Sequence, residues 1–240
     1  MSLNTSIKLE NFIVNKAPAK AFYIPNFINE EEEKIILKKL YEAPKPKWVQ
    51  LSNRRLQNWG GFPHSKGMVA ESIPSWLKTY MQRIDALNHL DGNNTNHVLV
   101  NEYLSGQGIM PHVDGPIFYP TITTINLGSH TVLDIYRPFD SENSDITNIE
   151  ENDSSTQSTL NARKIGSLLL ERRSLLVLQE DLYTKYLHGI AEKSTDVIDD
   201  SIFNLDEISY SLGDILNRET RVSLTIRYFP KVLKFKLGKI

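Results

Sequence analysis

The chain has 240 residues, of which 40% are hydrophobic and 23% charged, enough to bury one sizeable core, and a single domain over 1–240 is expected. It contains no cysteine, which excludes disulfides and thiolate metal sites, and no apolar run approaches the roughly 18 residues that span a bilayer. The net charge of −2 hides an uneven distribution. Residues 140–153 carry six acidic and no basic side chains, and 192–219 carry eight acidic and two basic. The remainder therefore holds 25 of the 27 basic and 15 of the 29 acidic residues. A basic body with acidic stretches suits a polyanionic partner, and it equally suits an ordinary solvated surface. The opening MSLNTSIKLE has no apolar signal core, so the protein is expected in the nucleus or cytoplasm.

In chain order, residues 20–28 (KAFYIPNFI) read as a short strand. Asn29 suits an N-cap, and Glu30 to Glu33 fill a first helical turn, where carboxylates complement the helix dipole. The four-Glu run is expected to be a solvated helix start. Ile35, Ile36, Leu37, Leu40 and Tyr41 form its apolar face, and Pro44 and Pro46 end it near Ala43. Residues 45–69 interleave Trp48, Trp59 and Phe62 with Lys45, Lys47, Arg54, Arg55 and Lys66. Aromatic faces stack on bases and cations hold phosphates; a strand pair with core tryptophans reads the same pattern without a ligand. Pro74 opens a second helix, and Trp76, Leu77, Tyr80, Met81, Ile84 and Leu87 recur at helical spacing.

From His97 the pattern is β: HVLVNEYL, TITTINLG, TVLDIY, SLLLE, SLLVLQ and RVSLTIRYF. Short apolar strands between turns predict a mainly β sandwich or jelly roll with flanking helices. Two polar, acidic segments interrupt it, 139–162 and 191–219. Both are expected to be mobile inserts, the first in a hairpin-type connection. In the second, Ile202, Phe203, Leu205, Ile208 and Leu212 are candidates to dock.

The chemistry centres on His112-Val113-Asp114. Strand alternation puts His112 and Asp114 on one face, where an imidazole and a carboxylate can grip one metal ion. Chance also supplies H-x-D, as a loop Asp beside a satisfied His. Gly106, Gly108 and Pro111 lead tightly into this motif and Gly115-Pro116 closes it. His188, before Gly189, is the candidate third ligand; two His and one carboxylate form the arrangement of non-haem Fe(II) oxygenases. The closing strand sets Arg221, Ser223, Thr225 and Arg227 on one face and Val222, Leu224 and Ile226 on the other. Two arginines on one face of a packed strand call for anions, and a dicarboxylate would satisfy both. Alternatively, one pairs with an internal carboxylate and the other is solvated. His130 and Asp134 also share a face and form a lesser candidate pair.

In order, N-x-Y (Asn101, Tyr103), H-x-D (His112, Asp114), H-G (His188, Gly189) and R-x-S-L-T-x-R (Arg221 to Arg227) resemble the AlkB family of Fe(II)/2-oxoglutarate dioxygenases. PKPKWVQLSNRRLQNWGG, PHVDGPIFYPTITTINLGSHTVLD and TRVSLTIR extend the resemblance to its eukaryotic sixth-homologue branch. The resemblance implies a double-stranded β-helix, or jelly roll, with Fe(II) held by His112, Asp114 and His188. It also implies 2-oxoglutarate and O2 as co-substrates. By matching positions, Arg221 and Tyr103 would hold the distal carboxylate, and Arg227 and Asn101 would approach the proximal one. Ser223 stands where the bacterial form has Asn, so its contact is a weaker carry-over. The 45–69 segment matches the family's nucleotide-recognition lid, which makes Trp48, Arg55, Gln57 and Trp59 substrate-side candidates, with Tyr136 and Arg137 bordering the same pocket. The implied substrate is alkylated RNA or DNA. A protein oxygenase acting on a basic peptide, and a non-catalytic nucleic-acid-binding module, are the alternatives. No membrane partner is expected.

Overall fold

The computed structural model describes residues 7–138 and 162–233. Two antiparallel sheets face one another. The larger contains β1 (Ala21–Ile24), β2 (Val49–Gln50), β3 (Arg55–Trp59), β5 (His97–Tyr103), β7 (Thr121–Leu127), β10 (Leu175–Gln179) and β14 (Arg221–Arg227), in the order β1-β10-β7-β14-β5-β3-β2. The smaller contains β6 (Ile109–His112), β8 (Thr131–Tyr136), β9 (Lys164–Leu170) and β11 (Leu187–Ile190), in the order β6-β11-β8-β9. Two small pairs complete the strands: β12 (Thr195–Val197) with β13 (Ile215–Asn217), and β4 (Met68–Val69) with β15 (Val232–Leu233). The expected jelly-roll architecture with flanking helices is what forms.

Period-two alternation sorts the larger sheet's side chains into two cores. Val98, Val100, Ile125, Leu127, Leu175, Val177, Val222, Leu224 and Ile226 pack outward against the helices α1 (Glu30–Tyr41) and α2 (Ser75–Asp85). Tyr103, Leu176 and Leu178 pack inward against Leu133, Ile135, Leu168 and Leu170 of the smaller sheet. The helices form for local reasons as well. Asn29 and Glu32 make a reciprocal capping box on α1, and Leu77, Tyr80, Met81 and Ile84 are the buried stripe of α2.

Three expectations need correction. Glu33 is not solvated. It is buried, accepts from the Gly128 backbone N–H at 2.8 Å, and takes Arg172 at 2.8 Å and Arg173 at 3.4 Å. Helix periodicity turns this one residue of the run toward the sheet, where two arginines stand. The 191–219 segment is packed. Ile198 and Ile202, with Leu205, Ile208 and Leu216 against them, cover Val132 and Leu169 on the outer face of the smaller sheet, and Phe203 packs at the inter-sheet core; Leu212 stays exposed. Asp196 lies at its centre, bound by Arg218 at 2.6 Å and 2.8 Å, Lys193 at 3.1 Å and His130 at 3.2 Å. An acidic composition concealed a small satellite core. Third, β6 ends at His112, so Asp114 follows the strand rather than sharing it. The 139–162 insert, apart from Ala162, lies outside the described residues; it does join an antiparallel pair, β8 and β9. No helix among the described residues is long and apolar enough to cross a membrane.

Candidate metal centre and co-substrate cavity

The site lies between the sheets, at the end where β6 and β11 pair. Their register sets His188 opposite His112, and the two rings are 4.6 Å apart between centres. Gly108 permits this pairing: a Cβ there would come within 2.2 Å of the Ile190 carbonyl oxygen. Gly189 is nearly as tight, with Ile109 and Pro111 backbone atoms 3.0 Å from where its Cβ would sit. Asp114, just past β6, brings Oδ1 to 3.8 Å from Nε2 of both His112 and His188. Among the described residues this is the group of three such side chains able to hold a metal ion, with one ligand atom from each lying within 4.8 Å of the others.

Surrounding contacts orient the three. The Met110 carbonyl accepts from His112 Nδ1 at 2.8 Å; a carbonyl only accepts, so the proton is on Nδ1 and Nε2 carries a free lone pair. Arg227 Nη1 donates to Asp114 Oδ2 at 3.2 Å, leaving Oδ1 toward the histidines. The Tyr183 hydroxyl holds the Gly115 carbonyl at 2.8 Å. Burial draws His188 down to about 4, which favours the neutral imidazole a metal requires.

A cavity of about 130 Å³ opens from this group into the space between the sheets. Its polar lining includes Asn101, Tyr103, Arg221, Ser223, Thr225 and Arg227, and its apolar wall includes Leu133, Leu170, Leu176 and Leu178. Strand alternation on β5 and β14 delivers all the polar members to one face, as expected. Arg221 is buried, and its Nη2 donates to Asn126 Oδ1 at 2.7 Å. Its guanidinium stands 5.6 Å from the Tyr103 ring centre, Nε has no partner, and no ion pair to it occurs among the described residues. Burial lowers Arg221 to about 10 and pushes the Tyr103 phenol up. Arg227 is lowered too, by burial against the opposing pull of Asp114. Its guanidinium lies 3.8 Å from the Phe118 ring centre, and its Nε is also unpartnered. An uncompensated buried cation is costly. The donor set therefore fits a dicarboxylate above a divalent metal.

The substrate-side expectations fare differently. Trp48, Arg55, Gln57 and Trp59 turn to the helix side of the larger sheet. Arg55 is paired with Glu102 at 3.0 Å and stacked 4.2 Å from the Trp48 ring centre. Gln57 is fully buried, donating to the Leu40 carbonyl at 3.0 Å and accepting from Trp59 Nε1 at 2.9 Å. Trp48 and Trp59 pack on the helix-side core. None of the four lines the cavity. Arg54 does, with Nε donating to Asn101 Oδ1 at 3.2 Å. Arg54 just precedes β3 and Arg55 opens it, so the two side chains leave in opposite directions, and parity alone does not say which faces in. Tyr136 points outward beside Asp134, to which its hydroxyl donates at 3.4 Å, and Arg137 is exposed beyond β8. His130 and Asp134 do not pair. Asp134 is held by Lys164 at 2.7 Å and Ser167 at 2.8 Å, while His130 faces Asp196. Asn126, which reasoning from the sequence missed, sits two residues beyond Thr124 on the inward face of β7.

A two-sheet β fold, a His-x-Asp and distant His beside one cavity, and two buried arginines facing it, of which Arg227 pairs with Asp114 and Arg221 has no carboxylate partner among the described residues, fit an Fe(II)/2-oxoglutarate oxygenase site. Residues 47–227 match the 2OG-Fe(II) oxygenase superfamily, and the chain belongs to it, as an oxidoreductase that uses Fe(II), 2-oxoglutarate and O2. A Danio rerio protein named probable RNA/DNA demethylase ALKBH6 is 50% identical over 231 residues, 96% of this chain and 94% of its own length. That match puts the chain on the AlkB branch, as the motifs indicate. Two solved structures share the fold. OsALKBH1 is 13% identical, with a TM-score of 0.52 over 86% of this chain and 97% of that one. A Pseudomonas putida prolyl-4-hydroxylase is 9% identical, with a TM-score of 0.53 over 94% and 100%. At these identities the likeness is one of fold.

Proposed function

We propose that the chain dealkylates nucleic acid oxidatively, with Fe(II) held by His112, Asp114 and His188 and 2-oxoglutarate held by the arginines of β14. The observation that carries the site assignment is the buried Arg221, which faces the metal group's cavity without a carboxylate partner among the described residues. Arg221 with Tyr103 would take the distal carboxylate, and Arg227 with Asn101 the proximal one; Ser223 offers a hydroxyl between them. The nucleic-acid reading is supported by the Danio rerio relative's name and by the basic balance of the chain outside its acidic stretches.

Fe(II), 2-oxoglutarate and O2 together hydroxylate an N-methyl group, giving succinate and CO2, and the hydroxymethyl product then loses formaldehyde. The chain's residues position and exclude. Met110 fixes the His112 tautomer. Arg227 binds one oxygen of Asp114, so the carboxylate presents the other to the metal. Leu133, Leu170, Leu176 and Leu178 keep water from the cavity wall, which strengthens each charge interaction inside. Arg54, at the edge of the same cavity, is the cation placed to meet an incoming phosphate. A target base would have to leave its stack to reach so enclosed a site.

The test is succinate release with Fe(II), 2-oxoglutarate and ascorbate against pooled methylated RNA, methylated DNA and methylated histone-type peptides, with Asp114→Ala as the blank. Stimulation by a nucleic-acid pool alone is the expected result. Stimulation by the peptide pool alone would replace the substrate class, and no succinate above the blank would refute the enzyme reading.

A further inference from the structure

The 191–219 segment lies on the outer face of the smaller sheet. Ile198 and Ile202 there pack on Val132 and Leu169, whereas the neighbouring Leu133 and Leu170 line the cavity on the opposite face. What it presents to solvent is unusual. Val197 and Ile215 are directly paired across β12 and β13, yet are 53% and 68% exposed. Leu212 is 59% exposed beside them, where Gly213 donates to the Ile198 carbonyl at 2.8 Å. A cross-strand Val–Ile pair is the unit that normally stabilises a sheet by burial. Here it points away from the core, on a two-stranded ribbon whose outer edges pair with no other described strand.

At the end of the ribbon that carries Leu212 the segment's charges are acidic. The segment's two cations, Lys193 and Arg218, are both bound by the buried Asp196. Asp199, Asp200 and Asp214 are left around one end of the ribbon, all exposed and none in a salt bridge among the described residues, whereas Glu219 at the other end lies beside Arg172. An apolar ridge with a rim of uncompensated carboxylates complements a cationic surface that also carries apolar groups. It repels nucleic acid, and it stands on the wrong side of the sheet to feed the cavity. The chain's own 140–153 stretch, with six acidic and no basic residues, would be repelled as well.

We propose that the β12–β13 ribbon docks a partner protein through an extended segment that alternates lysine or arginine with β-branched or aromatic residues. This surface acts apart from the oxygenase site, and its occupant is a binding partner rather than a substrate. The segment lies along Val197, Ile215 and Leu212 while its cations meet Asp199, Asp200 and Asp214. An unpaired ribbon edge allows the segment to add as a further strand.

The probe is a fluorescent peptide of alternating lysine and valine, about as long as one extended strand, measured by anisotropy against the full chain. A lysine–serine peptide and a glutamate–valine peptide are the controls. Binding is expected for the lysine–valine peptide alone, and it should weaken with salt. Val197→Thr with Ile215→Thr keeps the β-branched shape and should weaken it about tenfold. Asp200→Asn with Asp214→Asn should weaken it similarly. The amide oxygen that Asp214→Asn introduces can still accept from the Ser211 N–H, as the carboxylate does at 2.8 Å. Both double variants should keep wild-type succinate release, which shows that they fold. Equal binding of the lysine–serine peptide, or none of the lysine–valine peptide, would overturn the proposal. So would indifference to the threonine pair. Sedimentation showing a dimer that the threonine pair abolishes would make the occupant a second copy of this chain, and would also overturn it.

Discussion

Arg221→Met separates stability from binding at the anion site. Burial draws the guanidinium down to about 10, which corresponds to about 3 kcal/mol against the charged form in the folded state. Because the folded value lies below the unfolded one, that cost is fully present at neutral pH and is relieved only as pH rises from about 10 upward. The Asn126 acceptor at 2.7 Å and the Tyr103 ring at 5.6 Å recover part of it. Methionine keeps similar length without charge. Ligand-free Arg221→Met should therefore be more stable by about 1–2 kcal/mol, or roughly 2–8 °C in unfolding midpoint. Its affinity for 2-oxoglutarate should fall about 100-fold or more, since truncating one partner of a buried charged pair costs about 2–5 kcal/mol. Calorimetric unfolding of the ligand-free protein and anaerobic titration of the Fe(II)-loaded protein with 2-oxoglutarate read the two effects. A destabilised ligand-free variant, or an affinity within about threefold of wild type, would refute the reasoning.

Four further outcomes are expected. His188→Ala should abolish the visible absorption band of anaerobic Fe(II) with 2-oxoglutarate, and a normal band would remove His188 from the ligand set. Gly108→Ala forces a Cβ to within 2.2 Å of the Ile190 carbonyl oxygen, so it should cost about 2 kcal/mol or more in urea unfolding and weaken iron binding; an unchanged midpoint would show that β6 can shift freely. Arg54→Ala should weaken oligonucleotide binding with little change in stability, whereas Arg55→Ala should destabilise by leaving the buried Glu102 without its arginine; the reverse pattern would return Arg55 to the substrate side. Asp196 is held well below the usual carboxylate range, burial being outweighed by hydrogen bonds from His130 and Arg218. A lowered folded value means stability that is full above about pH 4 and lost on acidification. Asp196→Asn should thus cost about 3–5 kcal/mol at neutral pH and progressively less as the medium is acidified below about pH 4, and a loss that does not shrink on acidification would count against the assignment.

Legibility followed the strength of the local signal. On β14, seven residues alternate without a break, both neighbouring strands are present, and the burial of each face could be assigned from the sequence. His112 and His188 stood out because each lies beside a glycine-marked turn or strand: His112 ends β6, and His188 precedes Gly189 within β11. The His-x-Asp motif does bring Asp114 to the two histidines, but not by strand alternation: it leaves the strand and reaches the group through a loop held by Tyr183. The 45–69 stretch was harder. β2 is a two-residue edge strand with β3 beside it, and both are flanked by aromatic and cationic residues, so either face could be inward, and only pairing of Arg55 with Glu102 across to β5 decides it. Glu33 and Asp196 were lost in acidic runs. Composition averages over a segment, while burial is decided one residue at a time by the cations that happen to stand opposite.

The arrangement also makes the metal and co-substrate sites one mechanical unit. β14 pairs with β5 along its whole length, from Arg221 opposite Tyr103 to Arg227 opposite His97, so the spacing of the two arginines is fixed by backbone rather than by side-chain choice. Arg227 binds Asp114 directly, across 113 residues of sequence, while Phe118 covers its guanidinium face. The loop that carries Asp114 therefore rests on the strand that carries the two cavity arginines. Charge balance runs through the same residues: one carboxylate stands among two arginines and two imidazoles, and a dianion beside a divalent cation completes the set. Loss of Arg227 disturbs more than a co-substrate contact, because it also orients Asp114, whereas Arg221 bonds only Asn126 among the described residues and leaves the histidine–aspartate group untouched.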